Sequence, residues 1–160
     1  EEVLVEKLVE LDGRFTAPDN KREMQDVSFN DDLINIKFGF DKKGQPNMVA
    51  FNRLSTRYLK NEIDSYYIIS IDGKTNNVTL FDLYQQLPYT NYNVGTGQVM
   101  LKEKQFFSQF DQQKDYSISK YTIINTLRQM KVKSHNDHVK LKEQQLKKSL
   151  ELFDKTLSRY

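Results

Sequence analysis

The sequence predicts an α/β (α+β) fold, in which helices flank a mixed β-sheet and a helical extension follows at the C-terminal end. Two runs of alternating apolar and polar residues surround a turn between residues 24 and 39, which is the pattern of a β-hairpin. Residues 66–71 form a nearly continuous apolar run, typical of a strand buried on both faces. Apolar residues at helical spacing near both ends of the chain predict the helices.

Length and composition narrow the class of protein. The 160 residues suffice for one domain with a core, and we expect a single domain over residues 1–160. The net charge of +2 means that nucleic-acid contact would depend on local clusters of Lys and Arg. The absence of Cys excludes disulfides and thiolate chemistry. No apolar run approaches the roughly 18 residues of a membrane span and no secretory signal is present, so we expect a cytoplasmic protein without a membrane partner.

The elements of the first half follow from periodicity and from turn-forming residues. In chain order we expect helix 2–12, strand 14–17, hairpin strands 24–29 and 33–38, helix 47–61, strand 66–71 and strand 77–83. The last of these strands takes its apolar members from Val78, Leu80 and Leu83. Residues 41–46, with two Lys, a Gly and a Pro, are expected to form a loop.

The second half is expected to be an irregular stretch followed by helices. Residues 88–97 are predicted to be irregular and 99–101 a short strand, before helices at 103–111 and 118–132. Ser117 is the expected N-cap of the second of these helices. Both His residues lie in a predicted linker at 134–138, and a near-heptad amphipathic helix follows at 139–160. The apolar face of this last helix would dock on its own domain, pair with a second copy or lie along DNA.

Three polar side chains are expected to converge on one spot of the predicted hairpin. A turn centred on Asn30-Asp31 places Asp26 opposite Asn35, and the period of two in a strand places Asn35 and Lys37 on one face. Polar groups on a packing face are costly unless they are paired or bind something. A carboxylate, an amide oxygen and an ammonium suit a divalent cation beside a phosphate.

These residues resemble a known catalytic motif. Asp26, eight further residues and then Asn35-Ile36-Lys37 are similar to the PD-(D/E)xK motif of many type II restriction endonucleases, with Asn35 in place of the usual second acid. The predicted order of elements over residues 2–71 also resembles the αβββαβ core of that superfamily. The resemblance implies a Mg²⁺-dependent endonuclease that acts on double-stranded DNA as a homodimer, with residues 72–160 serving DNA contact or dimerisation.

The resemblance also implies roles for individual residues. Asp26, Asn35 and the Ile36 carbonyl would hold Mg²⁺, and Lys37 would act on the attacking water and on the phosphate. Asp19 is a rival first acid, and Glu6 or Glu10 of the first helix are further candidates for the metal site. Expected DNA contacts come from two polar stretches and comprise Lys42, Lys43, Gln45, Asn47, Thr96, Gln98 and Lys102. The alternative is a non-catalytic nucleic-acid-binding or assembly module on the same fold.

Overall fold

The structure is a computed structural model that describes residues 2–20, 23–38, 47–72, 76–101 and 114–159 of the chain. Its helices are α1 (Glu2–Leu11), α2 (Phe51–Leu59) and α3 (Lys120–Leu157), and a short 3₁₀ turn spans Leu87–Tyr89. Its strands are β1 (Phe15–Thr16), β2 (Val27–Phe29), β3 (Asp32–Phe38), β4 (Asn47–Ala50), β5 (Tyr67–Ile71), β6 (Val78–Asp82), β7 (Thr90–Asn93) and β8 (Gln98–Leu101). The α/β (α+β) class expected from the sequence is confirmed.

The main sheet is mixed, with the strand order β1-β2-β3-β5-β6. Its first three strands pair antiparallel, β3 and β5 pair parallel, and β6 returns antiparallel along β5. A parallel pair needs a crossover connection, which here contains β4 and α2. The order helix, three strands, helix, strand expected over residues 2–71 is therefore present, with β4 as an addition.

The hairpin of β2 and β3 has the predicted register. Val27 pairs with Ile34, Ser28 with Leu33 and Phe29 with Asp32. Asn30 in the turn has a φ of 52°, a left-handed conformation that Asn adopts more readily than most residues. The Asn30 turn and the alternation of apolar and polar side chains therefore both specify the register of β2 and β3.

The two faces of the sheet pack against different helices. Leu4 and Leu8 of α1 pack against the face formed by Val27, Ile34 and Ile36. The opposite face packs against α2 and α3 in the larger core, whose members include Leu33, Tyr66, Ile68, Phe81, Phe51, Leu54, Ile123 and Leu127. Because strand side chains alternate, Asn35 and Lys37 share the face of Leu33 and lie on the side of the larger core.

A second sheet corrects two expectations. Residues 47–50 are not the start of a helix but form β4, which pairs with β8, and α2 begins only at Phe51. Residues 88–97 are not irregular throughout, because β7 forms a hairpin with β8. The cause is the same in both cases: these short strands gain their hydrogen bonds from β8, whose Val99 is fully buried.

The C-terminal helix also differs from expectation. The predicted linker at 134–138 is wrong, because α3 runs without a break for 38 residues. Ser134 is buried within it, and the His138 ring lies 3.0 Å from the Tyr92 hydroxyl. The N-cap is Ser119 rather than Ser117, since the Ser119 Oγ accepts the Thr122 N–H at 3.1 Å. The tertiary contacts of α3 hold its middle in helical form.

The apolar residues of β6 differ from those expected. Leu83 is buried, but Val78 and Leu80 are exposed, and the inward apolar residue of β6 is Phe81. The helix predicted at 103–111 lies outside the described residues. Among the helices that are described, none combines the length and the apolar character needed to cross a membrane.

Candidate functional site

The three candidate side chains lie around the end of the β2–β3 hairpin. Asp26 immediately precedes β2 and is partly buried, and its backbone N–H donates to the Ile34 carbonyl at 2.9 Å. Asn35 is only 6% exposed, and Lys37 is partly buried two residues further along β3. The register places Asp26 beside Asn35, and alternation places Lys37 on the same face as Asn35.

The Asp26 carboxylate is held against the edge of β3. Its Oδ2 accepts the Ile36 backbone N–H at 2.6 Å, where the ladder of β2 has already ended. The N–H and C=O of one residue point to the same side of a strand, so the Ile36 carbonyl faces the Asp26 side of β3. The carboxylate oxygen of Asp26 and the main-chain oxygen of Ile36 are therefore neighbours.

Asn35 belongs to a buried polar cluster with Tyr66. The Asn35 Nδ2 donates to the Met24 carbonyl at 3.4 Å, and the Tyr66 hydroxyl donates to the same carbonyl. Burial raises the pKa of Tyr66 well above its usual value, and the Asp26 carboxylate raises this pKa further. The phenol is thus a neutral donor at ordinary pH. Within the described part of the chain the buried Asn35 Oδ1 has no hydrogen-bond partner.

Lys37 lies beside Ser70 in the parallel ladder of β3 and β5. Paired residues of neighbouring strands share a face, so the Ser70 hydroxyl extends the polar row of Asn35 and Lys37. Ser70 is 1% exposed, and its Oγ has no hydrogen-bond partner among the residues that the structure describes. A buried polar atom without a partner is uncommon and calls for a reason, such as a bound ligand.

The donor set suits a small, hard cation that prefers oxygen ligands. It consists of the Asp26 carboxylate, the Asn35 Oδ1 and the Ile36 carbonyl, and Mg²⁺ accepts one or two carboxylates together with neutral oxygens and waters. No group of three or more His, Cys, Asp or Glu side chains is placed to hold a metal in the described ranges. Of the three donors named here only Asp26 is charged, so a cation held by this set would depend on one carboxylate and on neutral oxygens.

The other carboxylates proposed for the site are exposed. Glu6 and Glu10 are exposed on α1, which packs on the sheet face opposite to Asn35. Asp19 is exposed at a bend that follows β1. The sheet therefore separates Glu6 and Glu10 from Asn35.

Four residues near the site are absent from the set that the sequence predicts. Tyr66 and Ser70 belong to the apolar run at 66–71, and their polar groups, an even number of positions apart, are a signal that both face one side of the strand. Arg53 and Arg57 of α2 lie close enough to the Tyr66 hydroxyl to lower its pKa against the effect of burial. Arg57 also pairs with Glu62 at 3.4 Å. Cationic groups therefore approach the polar cluster from α2.

The proposed DNA contacts are only partly described. Lys42, Lys43, Gln45 and Lys102 lie outside the described residues. Asn47 begins β4 and Gln98 begins β8, so both belong to the second sheet, where Gln98 is partly buried. Thr96 is exposed in the turn between β7 and β8, where its N–H donates to the Asn93 Oδ1 at 3.3 Å. Thr96 and Gln98 therefore belong to the hairpin of β7 and β8, which is far in the sequence from Lys42 and Lys43.

Comparisons with family models and with curated proteins give no match, so inferences about function depend on the geometry of the site. No protein-family model matches the chain. No curated protein matches it either.

Proposed function

We propose that this protein is a Mg²⁺-dependent endonuclease that hydrolyses phosphodiester bonds of double-stranded DNA, in the manner of a type II restriction endonuclease. The observation that supports this most is the hydrogen bond that holds the Asp26 carboxylate against Ile36 in the β2–β3 hairpin, with Lys37 on the same face of β3 as Asn35. An aspartate, an amide and a lysine on adjoining strands are a costly arrangement for a packing face, and a bound metal and phosphate would offset that cost.

The order of the elements is a second support. The superfamily carries its catalytic hairpin on the second and third strands of an αβββαβ core, and the candidate residues of this chain belong to the hairpin of β2 and β3. The strand that follows α2 pairs parallel with β3 and carries Ser70 beside Lys37. The motif and the order of elements are independent observations, because the spacing of three residues does not dictate how later strands pair.

The residues have distinct roles in this proposal. Asp26, Asn35 and the Ile36 carbonyl would hold Mg²⁺, which supplies polarisation of the scissile phosphate and a lower pKa of a bound water. Lys37 orients the attacking water and stabilises the charge that grows on the phosphate. Asn35 contributes a neutral oxygen where a second acid would add charge, so we expect modest metal affinity. The hydrogen bond from the Ile36 N–H keeps the Asp26 carboxylate in place.

The proposed substrate and assembly follow from the same resemblance. Double-stranded DNA would lie along the side of the sheet where Lys37 and the α2 arginines approach the polar cluster. A homodimer would allow a two-fold protein to act on both strands of a two-fold site. The polar turn with Thr96 would contact the backbone of the duplex.

The proposal is tested by incubating the protein with mixed-sequence plasmid DNA and Mg²⁺ or Mn²⁺. We expect discrete fragments from the wild type and a loss of at least about 100-fold in the cleavage rate for Lys37→Ala and Asp26→Asn. Lys7→Ala is the matched control, because Lys7 is exposed on α1 at the opposite face of the sheet. Absence of cleavage with either metal, or wild-type cleavage by Lys37→Ala, would refute the proposal.

The second candidate is a non-catalytic nucleic-acid-binding module. Both candidate metal ligands already make hydrogen bonds within the domain, since Asp26 accepts the Ile36 N–H and Asn35 donates to the Met24 carbonyl. Side chains with such a structural role need no metal, which favours the second candidate. Calorimetry separates the two candidates. This module would bind neither Mg²⁺ nor Mn²⁺, and its DNA affinity would be the same with and without EDTA.

A further inference from the structure

The C-terminal half of α3 is exposed on all sides. Every residue from 142 to 159 is exposed, whereas Ile123, Leu127 and Ser134 in the first half are buried. Five large apolar side chains of this exposed half are each between 51% and 69% exposed. Four of them recur at heptad spacing, and we call these four the outer stripe: Leu146, Leu150, Phe153 and Leu157. The fifth, Leu152, lies outside this spacing. Such a series of exposed apolar residues is a mark of an interaction surface.

The outer stripe does not continue the face that packs on the domain. The domain-facing residues of α3 recur at Leu127, Ser134 and the partly buried Leu141. Leu146 follows Leu141 by five positions, which is about 140° around a helix with 3.6 residues per turn. The outer stripe thus lies on nearly the opposite side of α3 from the domain-facing residues. Its apolar side chains therefore do not pack on the sheets.

The spacing of the outer stripe is that of a coiled coil. Its members are separated by four, three and four residues, which places Leu150 and Leu157 at a positions and Leu146 and Phe153 at d positions of a heptad. Lys147 and Asp154 then occupy the flanking e positions, and Lys142 occupies a g position. Lys148 and Lys155 fall at f, on the side that faces away from a partner helix.

We propose that the outer stripe pairs with the same stripe of a second copy of this chain in antiparallel orientation. With residues 151 and 152 at the two-fold axis, Leu146 packs against the partner's Leu157 and Leu150 against the partner's Phe153. The symmetry repeats each of these contacts, so four consecutive layers are apolar. The pairing is isologous and closed, and it leaves the domain-facing side of α3 unchanged.

The charges beside the stripe select the antiparallel orientation. An antiparallel pair sets e positions against e positions, so Lys147 lies beside the partner's Asp154, and symmetry gives this attractive pair twice. A parallel pair sets g against e, which would place Lys142 beside the partner's Lys147 and oppose two like charges twice. Only the antiparallel arrangement joins the apolar layers with complementary charges. It does not depend on the nuclease proposal, because no residue of the hairpin takes part.

Sedimentation over a range of protein concentrations tests the interface. We expect a dimer that Leu150→Glu converts to a monomer with an unchanged far-UV circular dichroism spectrum, since Leu150 contacts solvent in the protomer. Lys147→Asp turns two attractive pairs into two repulsive ones and should raise the dimer dissociation constant roughly tenfold. Adding Asp154→Lys to that variant should restore the wild-type dissociation constant. Lys148→Asp alone, the matched control at an f position, should leave the dissociation constant at its wild-type value.

Cysteine cross-linking tests the orientation, because the chain contains no Cys. The double variant Lys147→Cys, Asp154→Cys should form an intermolecular disulfide under mild oxidation. The two cysteines of one helix are about 10 Å apart, too far for an internal bond. Leu157→Cys should not cross-link, since antiparallel pairing keeps the two copies of residue 157 far apart. Cross-linking by Leu157→Cys alone would show parallel pairing and overturn the proposal.

Two other results would also overturn it. The first is a wild-type protein that sediments as a monomer even at 100 times the concentration used in its assays, because the outer stripe then does not pair with a second copy. A monomer that binds anionic phospholipid vesicles, and loses this binding in Leu150→Glu, would show that the stripe faces a lipid surface instead.

Discussion

The carboxylate of Asp26 accepts the backbone N–H of Ile36 at 2.6 Å, across the point where β2 has ended and β3 continues. A side chain here takes the place of a backbone acceptor in the ladder. The same side chain is the carboxylate of the proposed metal site. Asp26 therefore stabilises the hairpin and, in the proposal, also binds the cation, and mutation can separate the two roles.

Asp26→Ala and Asp26→Asn should differ in stability but not in metal binding. Alanine leaves the Ile36 N–H without an acceptor, at a cost of about 1–3 kcal/mol in the free energy of unfolding, whereas asparagine retains an acceptor oxygen. Both variants lose the negative charge and should lose Mn²⁺ binding. Urea unfolding and calorimetry measure the two effects. Equal stability of the two variants would show that the hydrogen bond contributes little.

Asn35→Asp should raise the affinity for Mg²⁺ and Mn²⁺ roughly tenfold, because a second carboxylate adds charge to the ligand set. In EDTA the variant should be less stable than the wild type, since two carboxylates then lie close together in a buried place. Calorimetry and thermal unfolding with and without metal measure this. Asn136→Asp on the exposed side of α3 is the control, and an unchanged metal affinity in Asn35→Asp would contradict the assignment.

Asp82 should make the protein less stable as the pH rises from 4 to 7. Burial raises the pKa of Asp82 from 3.8 to about 6, although its Oδ1 accepts the Tyr66 and Tyr84 N–H groups. Between these pH values the folded state holds a proton that the unfolded state has released. Stability from this group is complete below pH 3.8 and is lost as the pH passes 6.

Asp82→Asn should remove this dependence, because asparagine keeps the acceptor oxygen without ionising. We expect the drop in the free energy of unfolding between pH 4 and pH 7.5 to become smaller by about 1–3 kcal/mol. Urea denaturation at both pH values measures it, with the exposed Asp19→Asn as control. An identical drop in the wild type and Asp82→Asn would disprove the prediction.

Ser119→Ala should destabilise the protein by about 1 kcal/mol, because the Thr122 N–H loses its acceptor at the start of α3. Ser117→Ala, two residues earlier and outside the helix, should change the free energy of unfolding by less than about 0.5 kcal/mol. Chemical denaturation of the two variants compares them directly. A larger effect at Ser117 would mean that the helix begins earlier.

The hairpin could be predicted from the sequence because its determinants are local. Alternation in β2 and β3 and the Asn30 turn lie within a dozen residues, and a one-residue slip would place Ile34 and Ile36 on the wrong face. The pairing of Asp26 with Asn35 followed from the same register. The hydrogen bond from Ile36 to Asp26 did not, since it depends on where β2 stops.

Elements that depend on distant partners were mispredicted. Residues 47–50 have helical spacing, yet they form a strand because β8, some fifty residues later, supplies the hydrogen bonds. The linker expected at 134–138 is helical because Ser134 and His138 contact the rest of the domain. Neither partner is visible in a local window of sequence.

Local sequence specifies the first helix, the hairpin with its register, the central strand and the apolar period of the C-terminal helix, because each depends on neighbours in the chain. Three other features follow from the folded arrangement: Tyr66 and Ser70 border the polar cluster, Glu6 and Glu10 lie behind the sheet, and the outer stripe remains exposed. These facts depend on which surfaces meet in three dimensions, and burial is a property of the folded whole that no local pattern specifies.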